Sequence, residues 1–218
     1  FNSNTHYGQF LVTAVIPAMW QIIIIATVVI ALSSVLRRQP TNVWLLSFKF
    51  RNIFVKLLPY MLLFLFQGAA FLWLIFGILN WSMHGSWLIL FIGQLLMVLS
   101  CTAVATLLFV ITLDVTRAMS LVAGFSAPAF AFMGVTFPVS DMPILAQFWR
   151  SLLPVSHYIH IQIQQVNYGT PLLSSASEMG SLLAFLSCFF IASYVFAIKR
   201  KKIETEKNAE SPQQMERY

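Results

Sequence analysis

Long apolar runs separated by short polar connections set the pattern of this chain. Crossing the hydrocarbon core of a bilayer as a helix takes about 20 predominantly apolar residues. Five runs reach or approach that length: Phe10 to Leu36, Leu57 to Leu79, Trp87 to Leu113, Met119 to Phe137 and Ser181 to Ile198. The pattern predicts an all-α polytopic membrane protein with five transmembrane helices. Pro17 falls near the start of the first run, where a helix tolerates proline best.

Between the fourth and fifth runs the pattern breaks. Pro138, Pro143 and Pro154 follow too closely for another span, yet the residues among them stay apolar and aromatic. From Val155 onward, Val155, Ile159, Ile163 and Val166 share one helical face, and His157, His160, Gln164 and Asn167 share another. Residues 138–168 are predicted to form a re-entrant or interfacial helical hairpin before the last span.

The fourth run carries small residues at Ser120, Gly124, Ala127, Ala131 and Gly134, which fall on one helix face. In lipid, helices associate through close backbone approach, so this stripe predicts a helix-packing face. Pro128 is predicted to bend the same helix.

Composition narrows the class. With 59% hydrophobic and 9% charged residues, the chain does not have a soluble domain's mixture. The net charge of +6 raises the question of nucleic acid. The basic residues sit beside apolar runs, however, where bilayer orientation explains them, and no nucleic-acid partner is expected. Twelve of the 13 lysines and arginines fall on one side of the predicted topology, with Arg150 alone on the other. The positive-inside rule then puts the 37–56 loop and the tail from Lys199 in the cytoplasm. Residues 1–9, the turn from Asn80 to Ser86 and the hairpin face outside, with Trp81 and Trp87 flanking the turn as an aromatic belt. An odd number of spans with the N-terminal end outside predicts a missing upstream helix, and residues 1–9 read as the outer end of a missing upstream domain. Cys101 and Cys188 lie inside apolar runs and are expected to be free thiols.

The loop from Arg37 to Lys56 mixes Trp44, Leu45, Leu46, Phe48 and Phe50 with positive charge. This suits a short amphipathic helix on the cytoplasmic face, serving either as a headgroup anchor or as a docking element for a partner. After Lys199 to Lys202 the tail turns polar without apolar periodicity, and 199–218 is predicted to be disordered.

Chemistry-bearing motifs are absent. There is no GxxxxGKS or GxxxxGKT string to cradle phosphate, so the chain is not expected to be an ATPase, and no HExxH, GxSxG or CxxC occurs. No catalytic residue, metal or cofactor is expected within this chain. His157 and His160 stand at i, i+3, but a catalytic zinc usually needs three protein ligands, and the sequence shows no third nearby. Asp114 and Arg117 are spaced for a local ion pair. The spans hold almost no ionisable groups, which argues against a proton relay. Their polar residues include Gln21, Gln67, Gln94, Ser100, Thr102 and Thr106, which read either as helix-packing groups or, for the three glutamines, as the lining of a substrate path.

The chain resembles the permease subunits of type-2 ABC exporters, particularly the drug-efflux-like subgroup. The resemblance lies in AFAFMGVTFPVSDMP followed by LLPVSHY, in KLLPYMLLFLFQG on the second span, and in the order of the spans. It implies six spans with a sizeable outer domain after the first, of which this chain carries the C-terminal five. It further implies an external gate hairpin including Pro138, Pro143, Pro154, His157 and Tyr158. The coupling loop for a cytoplasmic ABC ATPase would include Arg37, Arg38, Trp44, Phe48, Lys49 and Arg51. Relatives often carry an acidic E-x-G-T stretch where this chain has LRRQPTNVWLL. ATP and magnesium would reside on the partner ATPase. Other implied partners are a second permease copy or paralogue and a periplasmic membrane fusion protein, in a bacterial inner membrane. The function expected is outward movement of an amphiphilic or lipid-like substrate; the alternative is a non-transporting membrane scaffold or assembly factor.

Overall fold

A computed structural model describes residues 7–36, 40–47, 50–132 and 142–215, and the described residues contain helices but no strands. Five helical stretches are long and apolar enough to cross a membrane: Thr13–Leu36, Phe50–Ile78, Trp87–Thr112, Val115–Phe132 and Leu172–Asn208. The all-α polytopic architecture expected from the apolar runs is the one observed.

Helix α1 spans Tyr7–Leu36 and buries Ile24, Ile25, Val28, Val29 and Leu32. A short helix, α2, covers Thr41–Ser47. The second span is α3, Phe50–Trp73, continued by a π-helical turn over Leu74–Ile78. It starts earlier than the apolar run suggests, because Arg51 and Lys56 ride on the first turns of the helix instead of belonging to a loop.

The bundle is built around α4, Trp87–Thr112, which packs against α1, α3, α5, α8, α9 and α10, the last four being helices described next. A helix buried over most of its surface needs its polar groups satisfied internally. In α4 the hydroxyls of Ser100, Thr102 and Thr106 donate to the carbonyls of Leu96, Val98 and Thr102 at 2.7–2.8 Å. Ser100 also reaches the Leu182 carbonyl of α9 at 2.8 Å, so one hydroxyl ties two helices together.

The fourth span comprises α5, Val115–Ser126, and α6, Ala129–Phe132, separated by a turn at Ala127 and Pro128. The break follows from proline, which has no N–H to donate and clashes with the preceding turn. Asp114 does not meet the Arg117 side chain. Its carboxylate accepts the Arg117 backbone N–H at 2.7 Å and caps α5. The buried face of this span is Ala118, Val122, Ser126 and Ala129. Ser120, Gly124, Ala127 and Ala131 lie exposed on the opposite side, and Gly134 is outside the described residues.

The hairpin consists of α7, Ile144–Ser151, and α8, Pro154–Ile163, followed by a π-helical turn at Gln164–Tyr168. The last span is a stacked pair, α9 at Leu172–Ala184 and α10 at Ser187–Met215. Between them Phe185 and Leu186 make i→i−3 bonds to the Leu182 and Leu183 carbonyls, a tightened turn that keeps the axis continuous.

This last span departs from expectation at both ends. Helix begins at Leu172, and at the other end α10 runs on through Met215, across most of the segment predicted to be disordered. The lysines, glutamates and alanine after Ile198 are good helix formers, and an already anchored helix propagates without a new nucleation step. Arg200 and Glu204 add an i, i+4 pair at 2.9 Å.

Candidate functional site

The hairpin is shaped by its prolines. Pro143 precedes the first turn of α7, and Pro154 occupies the first turn of α8, where its missing N–H costs nothing. Leu153, the residue before Pro154, offers no side-chain cap to α8. The cap arrives from α1: the Gln21 Oε1 accepts the Val155 backbone N–H at 2.9 Å. Gln21 is fully buried and fastens the hairpin to the first span.

Helix α8 is buried on nearly every side. Val155, Ser156, His157, Tyr158, Ile159, Ile161 and Gln162 are all buried, and the helix packs on α1, α4 and α9. The second helix of the hairpin is therefore packed inside the bundle. The polar face that suggests an interface is turned to partners within the protein. His157 Nδ1 lies 2.7 Å from Glu178 Oε2, and its Nε2 lies 3.1 Å from the Ser151 carbonyl. A carboxylate and a carbonyl both accept, so each ring nitrogen of His157 faces an acceptor. His160 Nδ1 contacts the other oxygen of Glu178 at 2.7 Å. One carboxylate thus clasps two turns of α8 to α9.

Glu178 escapes the sequence reading. The available signal is a lone acid on the stretch between Leu172 and Ile198, whose position demands a partner. His157 and His160 direct their Nδ1 atoms at this one carboxylate, and among the described residues no group of three or more histidine, cysteine, aspartate or glutamate side chains is placed to hold a metal ion.

The 164–170 segment is locked to the Asn80–Ser86 turn. Gln165 accepts the Ser86 N–H at 3.1 Å and donates to the Thr170 carbonyl and the Ser175 hydroxyl at 3.0 and 3.2 Å. Gly169 adopts a left-handed φ of 58°, and a β-carbon there would stand 2.6 Å from the His84 carbonyl oxygen. Only glycine permits both the conformation and the approach. Pro143, Pro154, His157 and Tyr158 thus lie within one packed hairpin, while Pro138 is outside the described residues.

At the opposite, basic end, α2 is wedged into the bundle. Trp44 is 1% exposed and meets Phe109 of α4 and Phe196 of α10 edge-on, with centroids 6.2 and 5.4 Å away. Trp44 and Leu45 are therefore anchors and not part of an exposed docking surface, whereas Thr41, Asn42, Val43 and Arg51 are exposed. Arg37, Arg38, Phe48 and Lys49 lie outside the described residues. Nearby, Lys199 of α10 donates to the carbonyls of Val110 and Ile111, which end α4 without helical partners.

The three glutamines separate. Gln67 and Gln94 line a cavity of about 300 Å³ bounded by α1, α3, α4 and α8. Gln21 is outside that lining and serves as the α8 cap. Tyr158 also borders the cavity, edge-on to Trp20 at 6.2 Å.

Comparison with known proteins gives one result. The family model described as ABC-2 family transporter protein matches residues 1–195. No curated protein matches. No solved structure matches. With five candidate spans, a helical hairpin before the last, and a family match covering most of its length, the chain belongs to the ABC-2 transporter family and is the membrane-embedded permease component of a type-2 ABC transporter.

Proposed function

We propose that this permease moves an amphiphilic or lipid-like substrate outward, driven by a separate cytoplasmic ABC ATPase that docks at the basic end. The observation that carries the reading is the seating of α2, with Trp44 held between Phe109 and Phe196 while Thr41, Asn42 and Val43 stay exposed. A push on such a helix is passed directly to α4 and α10. ATP would close the two ATPases and move α2, and energy would enter only through the different affinity of nucleotide for the two states.

The unit of transport is a dimer of this permease with a second copy or a paralogue, in a bacterial inner membrane with the basic end in the cytoplasm. The small residues of α5 and α6 support that arrangement, because they form an exposed face to which another helix can approach closely. The conduit lies between protomers, with the hairpin as its outer gate. A periplasmic fusion protein is a further partner.

The test is purification of the full-length protein in mild detergent, followed by identification of what accompanies it. Recovery of an ABC ATPase whose hydrolysis responds to amphiphiles in liposomes is expected. Recovery of none across several mild detergents would favour a non-transporting scaffold.

A further inference from the structure

One ring, His157, touches three helices. It belongs to α8, its Nδ1 lies 2.7 Å from Glu178 Oε2 on α9, and its Nε2 lies 3.1 Å from the carbonyl of Ser151, the last residue of α7. A carbonyl oxygen and an ionised carboxylate only accept, so each contact is a hydrogen bond when the facing nitrogen carries a proton. A neutral imidazole has one such proton and makes one of the two bonds. An imidazolium has two and makes both.

The bond that a neutral ring gives up follows from strength. A hydrogen bond to a charged carboxylate is about twice as strong as one to a neutral carbonyl, so the Nδ1 proton stays on the Glu178 side and the Ser151 bond is released. Helix α7 is sensitive to that loss. It packs mainly on α6 and α8, and its outer face, with Ile144, Leu145 and Phe148, is exposed. A recess of about 370 Å³ lies beside the ring, lined in part by Ser151, Ser181 and Ser187, of which the first and last are exposed. Such a lining suits water and gives the ring a route for protons.

The surrounding groups leave this switch to His157. His160 meets the other oxygen of Glu178 and joins α8 to α9 alone. Of the elements packed on α8, α1, α4 and α6 carry no acid, lysine, arginine or histidine, α9 carries Glu178, and α7 carries Arg150. Among the described residues, the ion pairs of Glu178 are those with the two histidines. Tyr158 on α8, Tyr168 in the turn after it, Cys101 on α4 and Cys188 on α10 are the other titratable groups nearby, and none is bonded to either ring. His84 contacts the Val166 carbonyl in that turn.

We infer that His157 is a proton-operated latch on the hairpin: acidification of the water at the end opposite the basic tail ties α7, α8 and α9 into one unit, and a rise in pH frees α7. The latch stands on contacts within a single protomer and does not depend on the direction of transport or on an ATPase.

Amide exchange tests it. The purified full-length protein in lipid nanodiscs is labelled with deuterium from about pH 5 to 8, the range over which histidine switches operate. Labelling times are scaled to hold intrinsic exchange constant, and α4 peptides serve as the internal reference. Protection of the 144–153 segment is expected to fall at least about 5-fold toward the alkaline end, roughly what one net hydrogen bond provides. His157→Gln, which has no proton to gain, abolishes the dependence, and His160→Gln leaves it in place. Wild-type protection that does not vary with pH would overturn the inference without any variant having to fold. So would a dependence that survives His157→Gln, one that His160→Gln removes, or protection that rises toward the alkaline end.

Discussion

The side chain of Gln21 on α1 accepts the backbone N–H of Val155 on α8 at 2.9 Å, joining residues 134 positions apart in a buried contact. A polar residue in a membrane span here performs the task that a serine or aspartate performs next to its own helix in a soluble protein. Replacing it by leucine leaves a buried N–H unpaired, at a cost of about 1–3 kcal/mol. Gln21→Leu is expected to lower the melting temperature in detergent and to speed amide exchange selectively in α8. Unchanged exchange there would remove the cap from the account.

The Glu178 clasp predicts an order of effects. Glu178→Ala leaves the nearly buried His157 ring without its carboxylate, and breaking a buried pair in this way costs about 3 kcal/mol. The His160 side chain is 44% exposed, so its pair with Glu178 is worth at most about 1 kcal/mol. Thermal unfolding should rank Glu178→Ala well below His160→Ala in stability, with cysteine cross-linking between α8 and α9 weakened most by the former. Equal stabilities would contradict the unequal burial of the two histidines.

Trp44 and Val43 separate anchoring from docking. Trp44→Ala empties a buried site between Phe109 and Phe196 and is expected to cost about 3–5 kcal/mol. Trp44→Phe retains most of that packing. Val43→Asp changes an exposed position and should leave melting unaltered while weakening capture of the ATPase. If Val43→Asp lowers stability as much as Trp44→Ala does, the division of roles within α2 is wrong.

Gly124 tests the face of α5. A β-carbon there meets no atom within 4 Å, so the protomer has room for a larger side chain. Gly124→Leu should keep the protomer's stability within about 0.5 kcal/mol of wild type, as surface substitutions usually do, and should shift native mass spectra from dimer to monomer. A dimer that survives both Gly124→Leu and Ala131→Leu would place the partner elsewhere.

The spans were legible because the requirement for about 20 apolar residues leaves few alternatives, and the break at Pro128 follows from proline's missing donor. The position of the hairpin was legible for the same reason, since Pro143 and Pro154 interrupt an apolar segment too short to cross. Its burial was not. His157 and Gln164 read as solvent-facing because periodicity reports polarity but not whether the partner is water, Glu178 or Ser175. Likewise Trp44 read as a headgroup anchor or a contact for another protein, since an aromatic beside basic residues looks the same whether it faces out or is held between Phe109 and Phe196. The cap supplied by Gln21 joins distant segments and leaves no local signature at either end. Continuation of α10 beyond Lys202 was hidden by weighing apolar pattern above helix propensity and i, i+4 pairing.

Vectorial, ATP-driven movement through this permease is the central proposal. The direct measurement is transport of a fluorescent amphiphile in proteoliposomes that contain the permease and its co-purifying ATPase, with ATP supplied only on the side of the basic end. Movement away from that side, lost on removing ATP or magnesium and reduced by Val43→Asp, is the predicted result. Movement toward that side, or none above ATP-free liposomes while the ATPase remains bound and active, would contradict it.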